Sequence, residues 1–206
     1  MTHPPLLTTD QTDALQEVTN IAIGQAATSL AAILDCFVRL SVPRIRVLEA
    51  SDLSRAMTDM IGLGTEITAT RQSFQGSMQG EALVIYDQTG CAELAAELMG
   101  YEDDLTDQAE VEILLEVSNV LIGACLGSIA ELLGVQQSFS PPTILVTRRP
   151  IDTLFADMTL CWQHALLVEV SFSLENRQFS CHIAFMMPDA TIESMRQAIE
   201  KFMENY

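Results

Sequence analysis

Residues 13–34 read DALQEVTNIAIGQAATSLAAIL and residues 112–133 read EILLEVSNVLIGACLGSIAELL. At that offset, 112 − 13 = 99, nine positions are identical: Leu15/Leu114, Glu17/Glu116, Val18/Val117, Asn20/Asn119, Ile23/Ile122, Gly24/Gly123, Ser29/Ser128, Ala31/Ala130 and Leu34/Leu133. Each copy carries Glu-x-x-Asn with a glycine four residues after the Asn. A period near 100 is too long for a solenoid unit and describes two halves of one fold. The repeat extends into the next segment, where Pro43, Ile45 and Val47 meet Pro142, Ile144 and Val146 at the same offset. Asp52 and Ala56 meet Asp152 and Ala156 at 100, and Asp87 and Thr89 meet Asp189 and Thr191 at 102. Small loop insertions in a duplicated ancestor would give such a drift, and the duplication predicts an internal pseudo-twofold.

Each half reads as long helix, strand, short crossover, two strands and closing helix. The long helices run from about Asp10 to Leu34 and from about Asp107 to Leu133, the second opened by Asp107 and Glu110 in capping-box spacing. Strands are expected at 66–74, 78–86, 165–174 and 178–187, with hairpin turns at Gln75-Gly76 and Glu175-Asn176. Closing helices fall near 89–99 and 189–203, and the polar stretch 100–106 joins the halves. Six strands, mostly in hairpins, with helices gathered beside them make the class α+β with an antiparallel-rich sheet. No linker is apparent, so residues 1–206 form one domain, with halves of about 10–99 and 107–203.

The totals narrow the function classes. A formal charge of −18, with only 10 Lys and Arg, leaves no surface to neutralise a phosphate backbone or hold an anionic membrane, so neither nucleic acid nor membrane is expected as a partner. The apolar run 21–34 is broken by Gln25, Thr28 and Ser29 and is too short for a bilayer of about 30 Å. The N-terminus, MTHPPLLTTD, lacks the pattern of a signal peptide. Five cysteines without a Cys-x-x-Cys fit reduced thiols in a cytoplasm.

At about 100° per residue, Glu17 and Asn20 lie about 60° apart, on a face shared with Asp13, Gly24 and Thr28. Leu15, Ala22, Ala26, Leu30 and Ile33 take the opposite side. In the second copy Glu112, Glu116, Asn119, Gly123 and Gly127 line up likewise. A mid-helix glycine costs about 1 kcal/mol against alanine, so a close approach of a neighbouring helix or of a partner would account for one kept in both copies. An Asn both donates and accepts, so it can hold a water beside a phosphoryl group without adding negative charge. GTPases orient their attacking water with a Gln in this way. A neighbouring Glu could meet a cation of the phosphorylated partner. Spacing alone also allows a solvated face, a docking face without chemistry, or a homodimer interface.

The strings EVTNIAIGQAATSLAAIL and EVSNVLIGACLGSIAELL closely resemble the paired signatures of the CheC family of chemotaxis phosphatases, which share a fold with CheX and the phosphatase part of FliY. The resemblance covers nearly the whole chain. It implies the CheC-like fold, with duplicated α-β-x-β-β-α halves, and a hydrolase acting on the aspartyl phosphate of a CheY-like response regulator. It further implies catalytic residues Glu17, Asn20, Glu116 and Asn119, each Asn orienting the attacking water and each Glu contacting the regulator's Lys. The chain would need no cofactor of its own, the Mg²⁺ being expected on the phosphorylated partner. A CheD-like deamidase is a second partner the family brings in, and a non-catalytic adaptor for either protein is the alternative reading. Length argues against FliY, whose further domain would not fit. Gln25-Ala26 and Cys125-Leu126 depart from the family habit and set the two copies apart.

Other motifs are weaker. Cys161-x-x-His164 with Cys181-His182 offers four zinc ligands in name, but a hairpin turning near residue 175 would hold the two histidines about 20 Å apart. No histidine sits in a nucleophile motif, the ten methionines suit core filling, and Gly62-Leu63-Gly64 lacks the context of a dinucleotide site.

Overall fold

A computed structural model describes residues 6–34, 37–87, 106–155, 163–174 and 180–204. In chain order these form α1 (Thr9–Leu34), β1 (Val38–Leu40), β2 (Arg44–Glu49), a 3-10 turn (Ala50–Asp52), α2 (Leu53–Ile61), β3 (Glu66–Gly76) and β4 (Gly80–Asp87). Then come α3 (Asp107–Leu132), β5 (Gln137–Phe139), β6 (Thr143–Pro150), a second 3-10 turn (Ile151–Thr153), β7 (His164–Leu174), β8 (Ser180–Pro188) and α4 (Asp189–Glu204). The expected helix at 89–99 and the turn at Glu175-Asn176 lie outside the described residues.

One continuous eight-stranded sheet joins the halves. Its centre is the antiparallel pair β4–β8, with β3 beyond β4 and β7 beyond β8. Each outer edge is shared by two strands in succession. β7 meets β1 near residues 172–174 and β2 over 164–169, while β3 meets β5 near 74–76 and β6 over 66–71. The class is α+β, as the sequence implies, but the described strands number eight. Two of these, β1 and β5, are three residues long, too short for an alternating pattern to show.

Both sheet faces are covered. Against one face pack α1, α3 and α4, burying Leu15, Val18, Leu30, Leu121, Leu126 and Ile199 over strand residues such as Phe74, Tyr86, Val168 and Phe185. Against the other pack α2 and the 3-10 turns, through Leu53, Met57, Ile151 and Leu154. The two long helices also pack on each other. By length and composition α3 would be long enough and apolar enough to cross a membrane; here Leu121, Cys125, Leu126 and Ile129 are spent on the core. This apolar span is longer than the run at 21–34.

The registers give the duplication a physical form and correct its alignment. Ile45 pairs with Val168 and its repeat partner Ile144 pairs with Thr70, so β3 maps onto β7 at an offset of 168 − 70 = 98. On that mapping Phe74 falls on Phe172, and both are buried. Two register shifts in β6 insert residues absent from β2, and Arg148 takes a left-handed φ of 49° there. The 3-10 turns therefore start at Ala50 and Ile151, an offset of 101, and Leu53 corresponds to Leu154. The alignment of Asp52 with Asp152 is thus displaced by one, because the drift arises from a bulged strand and not only from loops.

The cap of α3 also differs from expectation. Thr106 is the N-cap, its Oγ1 accepting from Ala109 N at 3.3 Å, and Asp107 is the first helical residue. Glu110 pairs with Arg148 Nη2 at 3.0 Å, which ties the helix start to the bulge. The β3–β4 turn spans residues 77–79, since Phe74 pairs with Gly80. Glycine is required at that end. A Cβ on Gly76 would strike the carbonyl of Gln136, and one on Gly80 that of Met186.

Candidate active site

Glu17 and Asn20 are exposed on α1, in line with exposed Asp13, Gly24 and Thr28, while Leu15, Ala22, Ala26 and Leu30 are buried behind them. Glu116 and Asn119 are exposed on α3 in line with Glu112, with Gly123 and Gly127 half-buried. Each Glu-x-x-Asn thus comes together on its own helix and faces outward. A Cβ on Gly24, Gly123 or Gly127 would meet nothing within 4 Å. Among the described residues no neighbouring helix requires these glycines.

The floor beneath the second pair is polar. Ser118, fully buried beside Asn119, lies 2.6 Å from Thr70 Oγ1 and 2.7 Å from Tyr86 OH, and its hydroxyl donates to Leu114 O at 2.7 Å. Tyr86 OH also donates to Leu114 O at 3.1 Å. Gln72 stands on the same face of β3 as Thr70 and is 1% exposed. Its Nε2 donates to Asn119 Oδ1 at 2.9 Å and to Ser140 O at 2.7 Å. Asn119 is therefore held at its carbonyl, with its amide hydrogens left to the exposed side.

The floor beneath the first pair is apolar. By the register, Thr70 corresponds to Val168 and Gln72 to Val170, both buried. Tyr86 pairs with Thr68 as Met187 pairs with Leu166, which makes Met187 its counterpart. The counterpart of Ser118 is Thr19, fully buried, with an Oγ1 that finds no hydrogen-bond partner. Among the described residues Asn20 has no side-chain partner either. α1 is instead tied down one turn earlier, where Gln16 Nε2 donates to Pro43 O at 2.7 Å.

Sequence reasoning found the two exposed pairs and missed Gln72. The signal was present, since alternation in TATRQSF puts Gln72 on the side of Phe74, and the other half carries Val at that place. The remaining candidates do not assemble. His182 faces Ser171 across the β7–β8 pair, Nδ1 to Oγ 3.2 Å, while His164 is seven residues up β7 beside Asp189, Nδ1 to Oδ1 2.9 Å. Cys161 lies outside the described residues. Among the described residues no three His, Cys, Asp or Glu gather as metal ligands would.

Comparison with known proteins agrees with this architecture. The model of the CheC-like family matches residues 11–46, which cover most of α1 and run into β2. The CheY-P phosphatase CheC of Bacillus subtilis (strain 168) is 26% identical over 190 residues, covering 87% of this chain and 88% of that protein. The flagellar motor switch phosphatase FliY of the same organism is 25% identical over 171 residues, 79% of this chain but 42% of that protein. The crystal structure of Thermotoga maritima FliY superimposes with a TM-score of 0.72 at 21% identity, covering 96% of this chain and 100% of that one. A duplicated α+β fold carrying two exposed Glu-x-x-Asn helices is thus similar in sequence to the Bacillus subtilis CheC and in fold to the Thermotoga maritima FliY.

Proposed function

We propose that this chain dephosphorylates a CheY-like response regulator. The observation that carries the proposal is the pair of outward Glu-x-x-Asn faces, set on two helices whose other sides are committed to the core. Its similarity to proteins named as CheY-P and flagellar-switch phosphatases supports the reaction class. Water attacks the phosphorus in line with the acyl oxygen; the P–O bond to the aspartyl carboxylate breaks, releasing inorganic phosphate and the free carboxylate. Phosphoryl transfer of this kind depends on positioning and electrostatics. Asn20 or Asn119 would hold the attacking water, and the adjacent Glu17 or Glu116 would dock on a Lys of the regulator. The Mg²⁺ of the reaction would belong to the regulator's phosphate site.

A second reading, an adaptor that binds the regulator or a CheD-like deamidase without chemistry, draws on the open space around Gly24 and Gly123. Decay of phosphorylated regulator separates the two. Asn20→Ala and Asn119→Ala each remove one site, and the double variant loses acceleration by about 10²-fold or more. Undiminished decay with the double variant would refute the hydrolytic reading. Stoichiometric binding with an unchanged phosphate lifetime would select the adaptor.

A further inference from the structure

We infer that Gln72 is a positioning residue for the second site, and that the two sites are built to be unequal. The inference rests on the hydrolytic reading above and deepens it. A carboxamide side chain has two orientations differing by about 180°, and on an exposed helix face nothing selects between them. At Asn119 the choice is made by a chain of hydrogen bonds that ends in backbone. Ser140 O can only accept, so the Gln72 group 2.7 Å from it is the amide nitrogen. The same nitrogen's second hydrogen points at Asn119 and requires an acceptor there, which fixes Oδ1 inward at 2.9 Å. The hydrogens of Asn119, and the second lone pair of Oδ1, are then presented outward in one arrangement. Gln72 cannot flip to relieve this, because its Oε1 would then face Ser140 O, which has no hydrogen to give. Its Oε1 is already buried without a partner, a cost tolerated for the orientation of the nitrogen.

The loop that supplies Ser140 O is itself pinned. Ser140 N donates to Ser73 O at 3.0 Å, and Ser140 Oγ accepts from Ser73 N at 3.1 Å. β3 and the β5–β6 connection thus hold Gln72 from both sides. Beneath it, Thr70, Ser118 and Tyr86 lock the turn of α3 that carries Asn119. The first site keeps the pinned loop, where Ser41 N donates to Ser171 O at 2.8 Å and Ser41 Oγ accepts from Ser171 N at 2.9 Å, but not the side chains that would use it: Val170 replaces Gln72, Val168 replaces Thr70, Met187 replaces Tyr86, and the Thr19 hydroxyl is unpaired. Among the described residues nothing holds the Asn20 carboxamide, so it takes its productive orientation on encounter with the regulator. Pre-orientation of a reacting group acts on kcat, whereas docking through Glu17 or Glu116 acts on KM.

The test isolates each site in the full chain. In an Asn20→Ala background only the second site works, and there Gln72→Met, which keeps shape and removes the donor, lowers kcat about tenfold with KM unchanged. In an Asn119→Ala background the same substitution leaves decay of phosphorylated regulator as it was. The side-chain amide of Asn119, seen in ¹⁵N–¹H spectra and assigned by its loss in Asn119→Ala, stands apart in the wild type and moves to random-coil shifts in Gln72→Met. Gln72→Val, matching the other half, serves as the second variant if Gln72→Met melts early. An unchanged kcat in the first background, or an equal fall in both, would overturn the proposal. Should the double Asn variant dephosphorylate like wild type, the hydrolytic reading fails instead, and the amide spectrum alone decides whether Gln72 holds Asn119.

Discussion

Ser118→Ala and Thr19→Val perturb equivalent positions of the duplicated helices and are expected to have opposite consequences. Ser118 Oγ joins Thr70 Oγ1, Tyr86 OH and Leu114 O at 2.6, 2.7 and 2.7 Å. Alanine removes one oxygen and leaves the Thr70 hydroxyl, fully buried, without that partner. An unsatisfied buried hydroxyl costs about 1–3 kcal/mol, while the higher helix propensity of alanine returns only a few tenths. For a chain of this size each kcal/mol moves Tm by about 2–4 °C, so Ser118→Ala lowers it by about 2–12 °C. Thr19 Oγ1 already lacks a partner, and valine has the same shape and the same β-branch. Thr19→Val therefore leaves stability unchanged or raises it by about 1 kcal/mol. Urea unfolding followed by far-UV circular dichroism measures both, with equal m-values as the check that the denatured state is the same. A loss above about 1 kcal/mol in Thr19→Val, or none in Ser118→Ala, would show that the polar floor lies under both helices or under neither.

Three further outcomes follow from particular residues. Gly24→Ala has open space for its methyl and stabilises α1 by about 1 kcal/mol in thermal melts, while a regulator seated on that face raises the KM of the first site. Burial pushes the Cys125 thiol up to about 12, so iodoacetamide at pH 8 leaves it unmodified in the folded protein and alkylates it in urea, read by peptide mass mapping. Burial opposes ionisation of Asp189, but the backbone N–H groups of His164 and Gln163 and the His164 ring outweigh it and hold the carboxyl below its usual range. A depressed pKa contributes stability above the unfolded value of about 4 that is lost as pH falls through the folded one, so Asp189→Ala is less stable than wild type at pH 7 and the gap narrows below about pH 4.

The helices were legible because a 3.6-residue period repeated over six turns leaves little freedom. Leu15, Ala22, Ala26 and Leu30 could only face a core, and Glu17 and Asn20 only its opposite. The hairpin strands were legible as short apolar runs bounded by turn residues, as in 82–86, where Ala82, Val84 and Tyr86 take the long-helix face and Leu83 and Ile85 the other. β1 and β5 were not, since three residues hold no period and their pairing is chosen by the strand ends they meet. The cap of α3 fell one residue early because Thr106 and Asp107 are both good caps, and backbone geometry decides between them. Gln72 was hidden by its chemistry. A glutamine in a strand reads as a surface residue until tertiary register sets it beneath Asn119.

The central β4–β8 pair, antiparallel and crossing a pseudo-twofold, has the geometry by which two identical subunits associate, each offering the same edge. In such a dimer any residue at the place of Gln72 would occur twice, and so would the floor it belongs to. Joining the subunits into one chain keeps the interface and removes that obligation. Gln72 and Val170 can then differ without weakening the seam, so one polypeptide can carry a tightly wired centre and a loosely wired one and be tuned through either alone.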